Sequence, residues 1–373
     1  MVNSNPTNFN QNMAQSRDEI DLKELVSALW AGKLSIVIFT LLGAACAISY
    51  ALLAQQWWSS HALISSPLPQ DIAAYREQVK QFQPVFDVYQ DDGTVLVSTE
   101  LDALVNPNVL FQRFISAFNS NNNKSDFLDT SVQFQTFKVA LEQQGLDEDS
   151  LKDSLRSLYA EWFQRISATL SEPNIPSSPY RLSLQSTTKT SSYELLIDYL
   201  DLIQAHQNAD ALNNLESLVQ AKKKELIQQK NILETQAKGE LEVEAERAKY
   251  ALEIAKAAQV HRPILSGNNK DELFDIDLGT KALDEKVKVL KSVKNLSVVE
   301  PRLEQINAKL KMLDALKVDR NVRFQTYKLL EDVEQPISRD KPKRALVAVL
   351  GTFFGAMFGV GIVLIRFAFR KES

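Results

Sequence analysis

The feature that most constrains this chain is one long helical pattern, which runs without a proline from Ser192 to His261. Apolar residues recur there at intervals of mostly three, four or seven, so they form one narrow stripe along a helix. At 1.5 Å per residue the helix would be roughly 100 Å long, too long to fit inside a compact domain. We therefore predict a projecting rod rather than a solvated single helix. Its stripe must pack on helices of this chain or of other copies.

A rod with a narrow apolar stripe needs neighbours along its length, because the stripe would otherwise remain in contact with water. We predict that a closed homo-oligomer supplies them. The residues expected at the interface between copies are Leu212, Leu215, Val219, Leu226, Leu233 and Leu241.

Two charge-free apolar segments, residues 34–54 and 345–365, are each long enough to cross a bilayer core of about 30 Å. The long acidic leader before the first segment favours an uncleaved anchor over a signal peptide. Arg17, Lys23 and Lys33 precede that segment, and the twenty residues after it hold no lysine or arginine. Positive charge beside an anchor tends to stay in the cytoplasm. We therefore predict that both termini are cytoplasmic and that the residues between the anchors lie outside the cytoplasm.

The second anchor carries Gly351, Gly355 and Gly359, which repeat at every fourth position. Glycines at this spacing lie on one face of a helix and allow another backbone to approach closely. Glycine is also common in membrane helices for no such reason. We predict that these three residues form a packing face.

Between the anchors the sequence predicts a mixture of strands and helices. The predicted strands are Trp57–Ser65, two strands of a hairpin in Gln83–Thr99 that turns at Asp92-Gly93, Tyr180–Ser186 and Asn321–Lys328. The predicted helices are Val109–Phe118 and Ser150–Leu170, with Asn119–Asn123 as a polar link, and two return helices marked by Leu283–Leu290 and Leu303–Leu313. Pro263 and Gly267 are expected to end the long helix.

No residue pattern indicates catalysis. The three histidines, His61, His206 and His261, are scattered, and neither a phosphate-binding GxxxxGK[ST] loop nor a GxGxxG loop occurs. Cys46 is the only cysteine, which excludes an intrachain disulfide or a thiolate metal site. The net charge of −5 gives no reason to expect nucleic acid as a partner. We predict no catalytic residue, cofactor or metal site, and we interpret the acidic residues around Asp92 as a plain turn rather than a calcium loop.

Several segments resemble one known family, the Wzz chain-length determinants, which are class 1 polysaccharide co-polymerases of the Gram-negative inner membrane. DEIDLKELVSALWAGKLSI (Asp18–Ile36) is similar to the N-terminal signature of that family, and Gln335–Gly361 is similar to its proline-basic segment and glycine-rich second anchor. Phe114–Leu128 and Tyr180–Ile203 fit its base domain more loosely. Only Pro336 and Pro342 remain of the prolines that usually precede the second anchor.

This resemblance implies a regulator rather than an enzyme. Members of the family form membrane-anchored rings, here expected to have about eight subunits. They act on a Wzy-type polymerase and set the modal chain length of a lipid-linked polysaccharide, usually O-antigen. The alternatives are a sensor or receptor with a periplasmic ligand-binding domain, or an export adaptor between an inner-membrane transporter and an outer channel.

The predicted fold class is α+β: two transmembrane helices bracket a periplasmic α/β base domain with a long protruding helical hairpin. The predicted segments are a cytoplasmic tail with an amphipathic helix (1–33), the first anchor (34–54), the base domain (55–190), the helical hairpin (191–320), a returning strand and linker (321–344), the second anchor (345–365) and a cytoplasmic tail (366–373).

Overall fold

The computed structural model describes residues 22–90, 92–175, 178–263 and 276–371 of the chain. These residues fall into two compact units. The anchor unit comprises the described residues up to Ser60, Leu184–Glu194 and the described residues from Glu334 onwards. The main unit comprises His61–Ser183 and Leu195–Val333. The N-terminal tail, Asp91 and most of the loop predicted after the long helix lie outside the described residues.

The described helices, in chain order, are α1 (Leu22–Ala31), α2 (Lys33–Leu53), α3 (Ala73–Gln81), α4 (Gln83–Phe86), α5 (Pro107–Asn119), α6 (Asn121–Thr130), α7 (Val132–Glu142), α8 (Glu148–Phe163), α9 (Lys189–Ala257), α10 (Gly279–Ser292), α11 (Arg302–Ala315) and α12 (Arg344–Lys371). Short 3-10 turns span Asp102–Val105 and Leu296–Val298. The strands are β1 (Trp58–Ser65), β2 (Val88–Tyr89), β3 (Val95–Leu96), β4 (Ile166–Leu170), β5 (Tyr180–Ser186) and β6 (Lys328–Glu334).

Helices α2 and α12 correspond to the two segments predicted to cross a membrane, and α2 ends one residue early, at Leu53. Both are long and apolar enough to do so, α12 over Arg344–Phe369. Their outward side chains are large and apolar, and Leu41 and Phe354 are both more than half exposed. Such a surface is stable when lipid rather than water covers it. Helix α1 lies within the predicted amphipathic segment, whose first residues are outside the described part.

A four-stranded sheet has the strand order β4-β5-β1-β6. Strands β1 and β5 confirm the strands predicted at Trp57–Ser65 and Tyr180–Ser186, and β1 begins one residue later, at Trp58. The strand predicted at Asn321–Lys328 is wrong, because β6 begins only at Lys328. The preceding residues are held by a side chain instead. Gln204 of α9 donates to the carbonyl of Phe324 at 2.8 Å, and its carbonyl oxygen accepts from the hydroxyl of Thr326 at 2.8 Å.

Two helix boundaries also differ from the predicted ones. The helix predicted over Ser150–Leu170 ends at Phe163, and Ile166 begins β4. The predicted polar link Asn119–Asn123 is wrong as well, since Ser120 alone interrupts the helical backbone between α5 and α6. An isolated polar run is a weak helix signal, and here α6 forms because its far end buries Phe127 and Leu128.

The hairpin predicted in Gln83–Thr99 exists but is much shorter. Strands β2 and β3 pair antiparallel over two residues each, and Gly93 turns between them with a φ of +84°. Residues 83–86 form helix α4 instead of a strand. Pro84 occupies its first turn, where a missing N–H costs nothing, and Val85 and Phe86 are buried.

The long helix predicted over Ser192–His261 is confirmed as α9, which has 69 residues. It ends before the predicted stops. Gln259 adopts the left-handed conformation with a φ of +57°, and the N–H of Val260 donates to the carbonyl of Ala255 at 2.9 Å. The N–H of Gln259 donates to the carbonyl of Lys256 at 3.2 Å, which completes a Schellman motif.

The return helices α10 and α11 are confirmed and cover the apolar stripe of α9. One core cluster joins the middle of α9 to Leu303, Ile306 and Leu313 of α11 and to residues of the 72–110 region. A second cluster joins Ala251, Leu252 and Ala255 of α9 to Leu283 of α10. The stripe of the long helix is therefore buried largely by its own chain.

Candidate functional site

Helices α2 and α12 pack closely in the anchor unit, and glycines make this contact possible. A Cβ added at Gly355 would lie 2.7 Å from the carbonyl oxygen of Phe39 and 3.1 Å from the Cα of Gly43. A Cβ added at Gly43 would in turn lie 2.6 Å from the carbonyl oxygen of Gly351. Because these neighbours are backbone atoms, no side-chain rotation relieves the clash. Glycine is therefore required at this crossing.

The other glycines of the α12 repeat also face α2. A Cβ added at Gly351 would lie 2.2 Å from the Cβ of Ala47, and one at Gly359 would lie 2.9 Å from the Cα of Ile36. The structure thus brings all three glycines of the predicted packing face to one partner helix. Sequence reasoning missed the partner side, although Gly43 and Ala47 are four residues apart and give the same small-residue signal.

The segments next to the two anchors also meet in the anchor unit. The N–H of Trp57 donates to the carbonyl of Lys341 at 3.0 Å, and the N–H of Asp340 donates to the carbonyl of Trp57 at 2.9 Å. The amide of Gln185 donates to the Asp340 carboxylate at 3.2 Å, and the Lys189 ammonium lies 5.0 Å from the ring centre of Trp58. These contacts hold the segment after the C-terminal end of α2 next to the segment before the N-terminal end of α12.

The six residues predicted at an interface between copies occupy a different place. Five of them, Leu212, Leu215, Val219, Leu226 and Leu233, are buried inside one chain. Leu241 is half-buried and borders a cleft with Leu290 and Leu296. A side chain buried by its own chain has no surface left for a second copy. The five buried side chains are therefore core residues of one chain, and Leu241 alone of the six keeps exposed surface.

A different apolar stripe on α9 is exposed. Ile232 is 57% exposed, Val243 49% and Ile254 43%. At 3.6 residues per turn these three side chains lie within roughly 40° of one another around the helix. The sequence contains this signal, but the larger leucine stripe obscured it.

The N-terminal part of α9 is held in place by aromatic packing in the main unit. The ring of Tyr199 lies 4.8 Å from the rings of both Phe118 and Phe127, and its hydroxyl donates to the carbonyl of Phe118 at 2.8 Å. Burial raises the pKa of Tyr199 above its ordinary value, so this phenol remains a neutral hydrogen-bond donor. It is a structural group rather than a reactive one.

The carboxylates of the β2–β3 hairpin region are structural groups too. Asp87 accepts hydrogen bonds from the amide of Gln83 and the N–H of Ser98, and Asp92 accepts from the N–H and hydroxyl of Thr94. These bonds to Thr94 hold the pKa of Asp92 below its ordinary value. Within the described residues no group of three His, Cys, Asp or Glu side chains is arranged to bind a metal ion.

Comparison with known proteins is consistent with this architecture. A family model described as "Chain length determinant protein" matches residues 18–107. The chain length determinant protein of Escherichia coli K12 is 25% identical over 358 residues, which covers 95% of each chain. The chain belongs to the Wzz chain length determinant family. Another relative of this Wzz chain, the protein of the same organism named ferric enterobactin transport protein FepE, is 26% identical and covers 96% of this chain and 92% of the relative.

Solved structures show the same fold. A full-length bacterial polysaccharide co-polymerase covers 94% of the Wzz chain and 99% of its own length, with a TM-score of 0.59 and 24% identity. A structure described as a Wzz dodecamer is 18% identical, with a TM-score of 0.43. This Wzz chain is an inner-membrane protein with two membrane-spanning helices, and its family consists of regulators rather than enzymes.

Proposed function

We propose that this Wzz chain sets the modal chain length of a lipid-linked surface polysaccharide, O-antigen or a related polymer, by acting on a Wzy-type polymerase. The observation that carries the proposal is the glycine-dependent contact between α2 and α12. A helix pair that is packed backbone to backbone presents one fixed surface inside the bilayer. A polymerase that is itself embedded in the membrane can recognise such a surface.

The outward face of this helix pair supports a contact with another membrane protein. Phe353 and Met357 are each more than half exposed on α12. Large flexible and aromatic side chains contribute strongly to protein interfaces. The expected contact with the polymerase therefore lies on the side of α12 that faces away from α2.

We infer that the working form is a closed homo-oligomer. The exposed stripe of Ile232, Val243 and Ile254 supports this proposal, because apolar side chains in a row along a helix gain stability when a second surface covers them. Replacing Ile232 and Ile254 by Asp is expected to shift the crosslinking ladder towards monomer. An unchanged ladder would contradict an interface along α9. The same ladder, run on the unaltered chain, gives the number of subunits.

The orientation of the chain follows from the charge bias around the first anchor. Arg17, Lys23 and Lys33 stand before α2, so we propose that both termini are cytoplasmic and the main unit is periplasmic. Reporter fusions after Ser186 and after Leu330 are expected to score as periplasmic, and one after Ser373 as cytoplasmic. A cytoplasmic score at Ser186 would reject this orientation.

The decisive experiment is deletion of the gene followed by electrophoresis of the lipid-linked polymer. The deletion strain is expected to lose its preferred chain length while still making polymer, and the intact gene should restore it. A sensor or an export adaptor would instead leave the length distribution unchanged or remove surface polymer altogether. Either of those outcomes would reject the proposed function.

A further inference from the structure

A polar cleft lies between α5 and α9 in the main unit. Its volume is about 760 Å³, within the range of about 300–1,000 Å³ that is usual for ligand sites. Four asparagines, two glutamines, one serine, one arginine, one aspartate and one valine line it: Asn106, Asn108, Asn213, Asn214, Gln112, Gln207, Ser116, Arg113, Asp210 and Val109. Nothing in the proposed action on a polymerase explains why so many amides gather here.

Gln207 is the residue that distinguishes this cleft from an ordinary wet surface. Only 8% of the residue is exposed. Its side-chain amide makes no hydrogen bond within the described residues and is not sealed from solvent, so the amide opens into the cleft that Gln207 lines. The buried part of the side chain fixes the position of this amide, and its N–H donors and carbonyl acceptor stay open to a ligand. The nearby buried Gln204 shows the ordinary alternative, since both ends of its amide are hydrogen-bonded within the chain. The unmet donors and acceptor of Gln207 border the cleft.

Three asparagines of the cleft are held in one orientation by their carbonyl oxygens. Asn106 accepts from backbone N–H groups at the start of α5, Asn108 accepts from the hydroxyl of Ser66 at 3.0 Å, and Asn213 accepts from Arg320. Their NH₂ groups have no partner among the described residues. Each of these amides therefore offers two N–H donors from a fixed position.

The charge and polarity of the lining identify the class of ligand. One cation, Arg113, and one anion, Asp210, balance each other, which favours neither an anionic nor a cationic ligand. Val109 is the sole apolar residue of the lining, and the aliphatic parts of the other side chains add apolar surface beside the polar groups. Amides that donate and accept, together with a carboxylate that accepts, complement hydroxyl groups, which also do both. A neutral oligosaccharide carries such groups on every residue.

We propose that the cleft between α5 and α9 binds a segment of neutral glycan chain. This inference rests on the proposed function, because the glycan is then the polymer whose length the protein sets. Gln207 and the fixed asparagine amides contact its hydroxyl and ring oxygens, and Asp210 accepts hydrogen bonds from its hydroxyls. The growing chain is thus held by the regulator as well as by the polymerase.

The first test separates binding from folding by replacing Gln207. The full chain in lipid nanodiscs is titrated with the surface polysaccharide of the producing cell, freed of its lipid by mild acid. Gln207→Leu is expected to weaken binding about 2- to 10-fold through the loss of one or two hydrogen bonds. Its thermal midpoint should stay close to that of the unaltered chain, because the amide makes no hydrogen bond within the described residues.

The matched control is Gln220→Leu, an exposed glutamine on the same helix outside the cleft. It should bind the glycan like the unaltered chain. Asp210→Ala, at an exposed position, is expected to weaken binding about tenfold or more. Unchanged binding by both Gln207→Leu and Asp210→Ala would overturn the proposal.

The second test identifies the occupant of the cleft in cells. A photo-crosslinking amino acid that inserts into C–H bonds is placed at Gln112 in the cleft and, as a control, at Gln220. A ladder of glycan adducts from Gln112 alone, absent in cells that make no polymer, supports the proposal. A band at twice the mass of the chain shows that a second copy fills the cleft, and no adduct above the control shows that nothing binds. Both of these results overturn it.

The two proposals fail in different ways. Loss of the preferred chain length on deletion, without glycan adducts at Gln112, would reject the cleft and keep the regulator. Glycan adducts together with an unchanged length distribution on deletion would keep the cleft and reject the regulator.

Discussion

Adding one methyl group at Gly355 tests whether the α2–α12 contact is structurally required. Real Cβ atoms rarely approach a neighbour more closely than 3.4 Å, whereas this one would lie 2.7 Å from the carbonyl oxygen of Phe39. The helices must therefore separate by about 0.7 Å, the difference between those distances. A gap of about that size forfeits a quarter to a half of the dispersion energy of each affected contact. We expect Gly355→Ala to cost about 1–3 kcal/mol of helix-pair stability.

Gly361 provides the matched control on the same helix. A Cβ added there meets nothing within 4 Å, so Gly361→Ala keeps only the gain in helix propensity, at most about 1 kcal/mol. The difference between the two alanine variants therefore isolates the clash. A loss of about 2 kcal/mol would lower the ratio of paired to separated helices roughly 30-fold.

The pairing of α2 and α12 is measured in nanodiscs as the distance between two spin labels, attached at Leu34→Cys and Leu350→Cys. The chain also carries Cys46→Ser, so that only these two positions are labelled. Labelled chains are diluted among unlabelled ones, so that only distances within one chain are observed. Leu34 and Leu350 are exposed, and their positions are about 20 Å apart along the helix pair. Gly355→Ala should broaden and lengthen the distance distribution, and Gly355→Leu should do so further and abolish the preferred polymer length. Equal distributions for Gly355→Ala and Gly361→Ala would refute the reasoning.

Three further changes test the main unit. Leu226→Asp should cost about 4 kcal/mol and unfold the chain, whereas Ile227→Asp, at an exposed position of the same helix outside the stripe of Ile232, Val243 and Ile254, should melt like the unaltered protein. Equal thermal midpoints for the two variants would contradict the intrachain core. Burial raises the pKa of Tyr75 to about 12 from the usual 10.0, so its neutral form stabilises the fold fully below pH 10 and that stability is lost as the pH rises towards 12. Tyr75→Phe should therefore reduce the alkaline loss of unfolding free energy by up to roughly 3 kcal/mol, and an unchanged pH profile in chemical denaturation would count against this. The side-chain amide of Asn119 accepts from the N–H and donates to the carbonyl of Ala168 at the edge strand β4, so Asn119→Leu should lower stability by about 1–3 kcal/mol and increase self-association in light scattering.

The sequence predicted well those features that depend on local geometry. The anchors follow from a count of apolar residues against the thickness of a bilayer, and α9 follows from a repeat that matches the helix turn. Strand β5 follows from alternation over Tyr180–Ser186 and has the same bounds in the structure. Each of these signals is complete within a few turns or pleats of the chain.

Other features depended on partners far away in the chain. Residues 321–327 look like a strand by alternation, but Gln204, 120 residues before Phe324, takes up their hydrogen bonds. The boundary between α8 and β4 depends in the same way on Asn119, which lies 49 residues before Ala168. Local periodicity carries no information about such partners. The predicted element boundaries are therefore wrong where a side chain from a distant segment takes the backbone hydrogen bonds.

By itself, the sequence determined which residues share a face, because the pitch of a helix is a property of the backbone alone. Only the tertiary structure decided what covers each face. It buried Leu226 and Leu233 under α11 of the same chain, left Ile232 exposed, and placed Gly43 against Gly351 and Gly355. The physical reason is that burial is a contact between segments distant in sequence. Equal apolar stripes therefore have the same pattern whether their partner is the same chain, another copy or lipid.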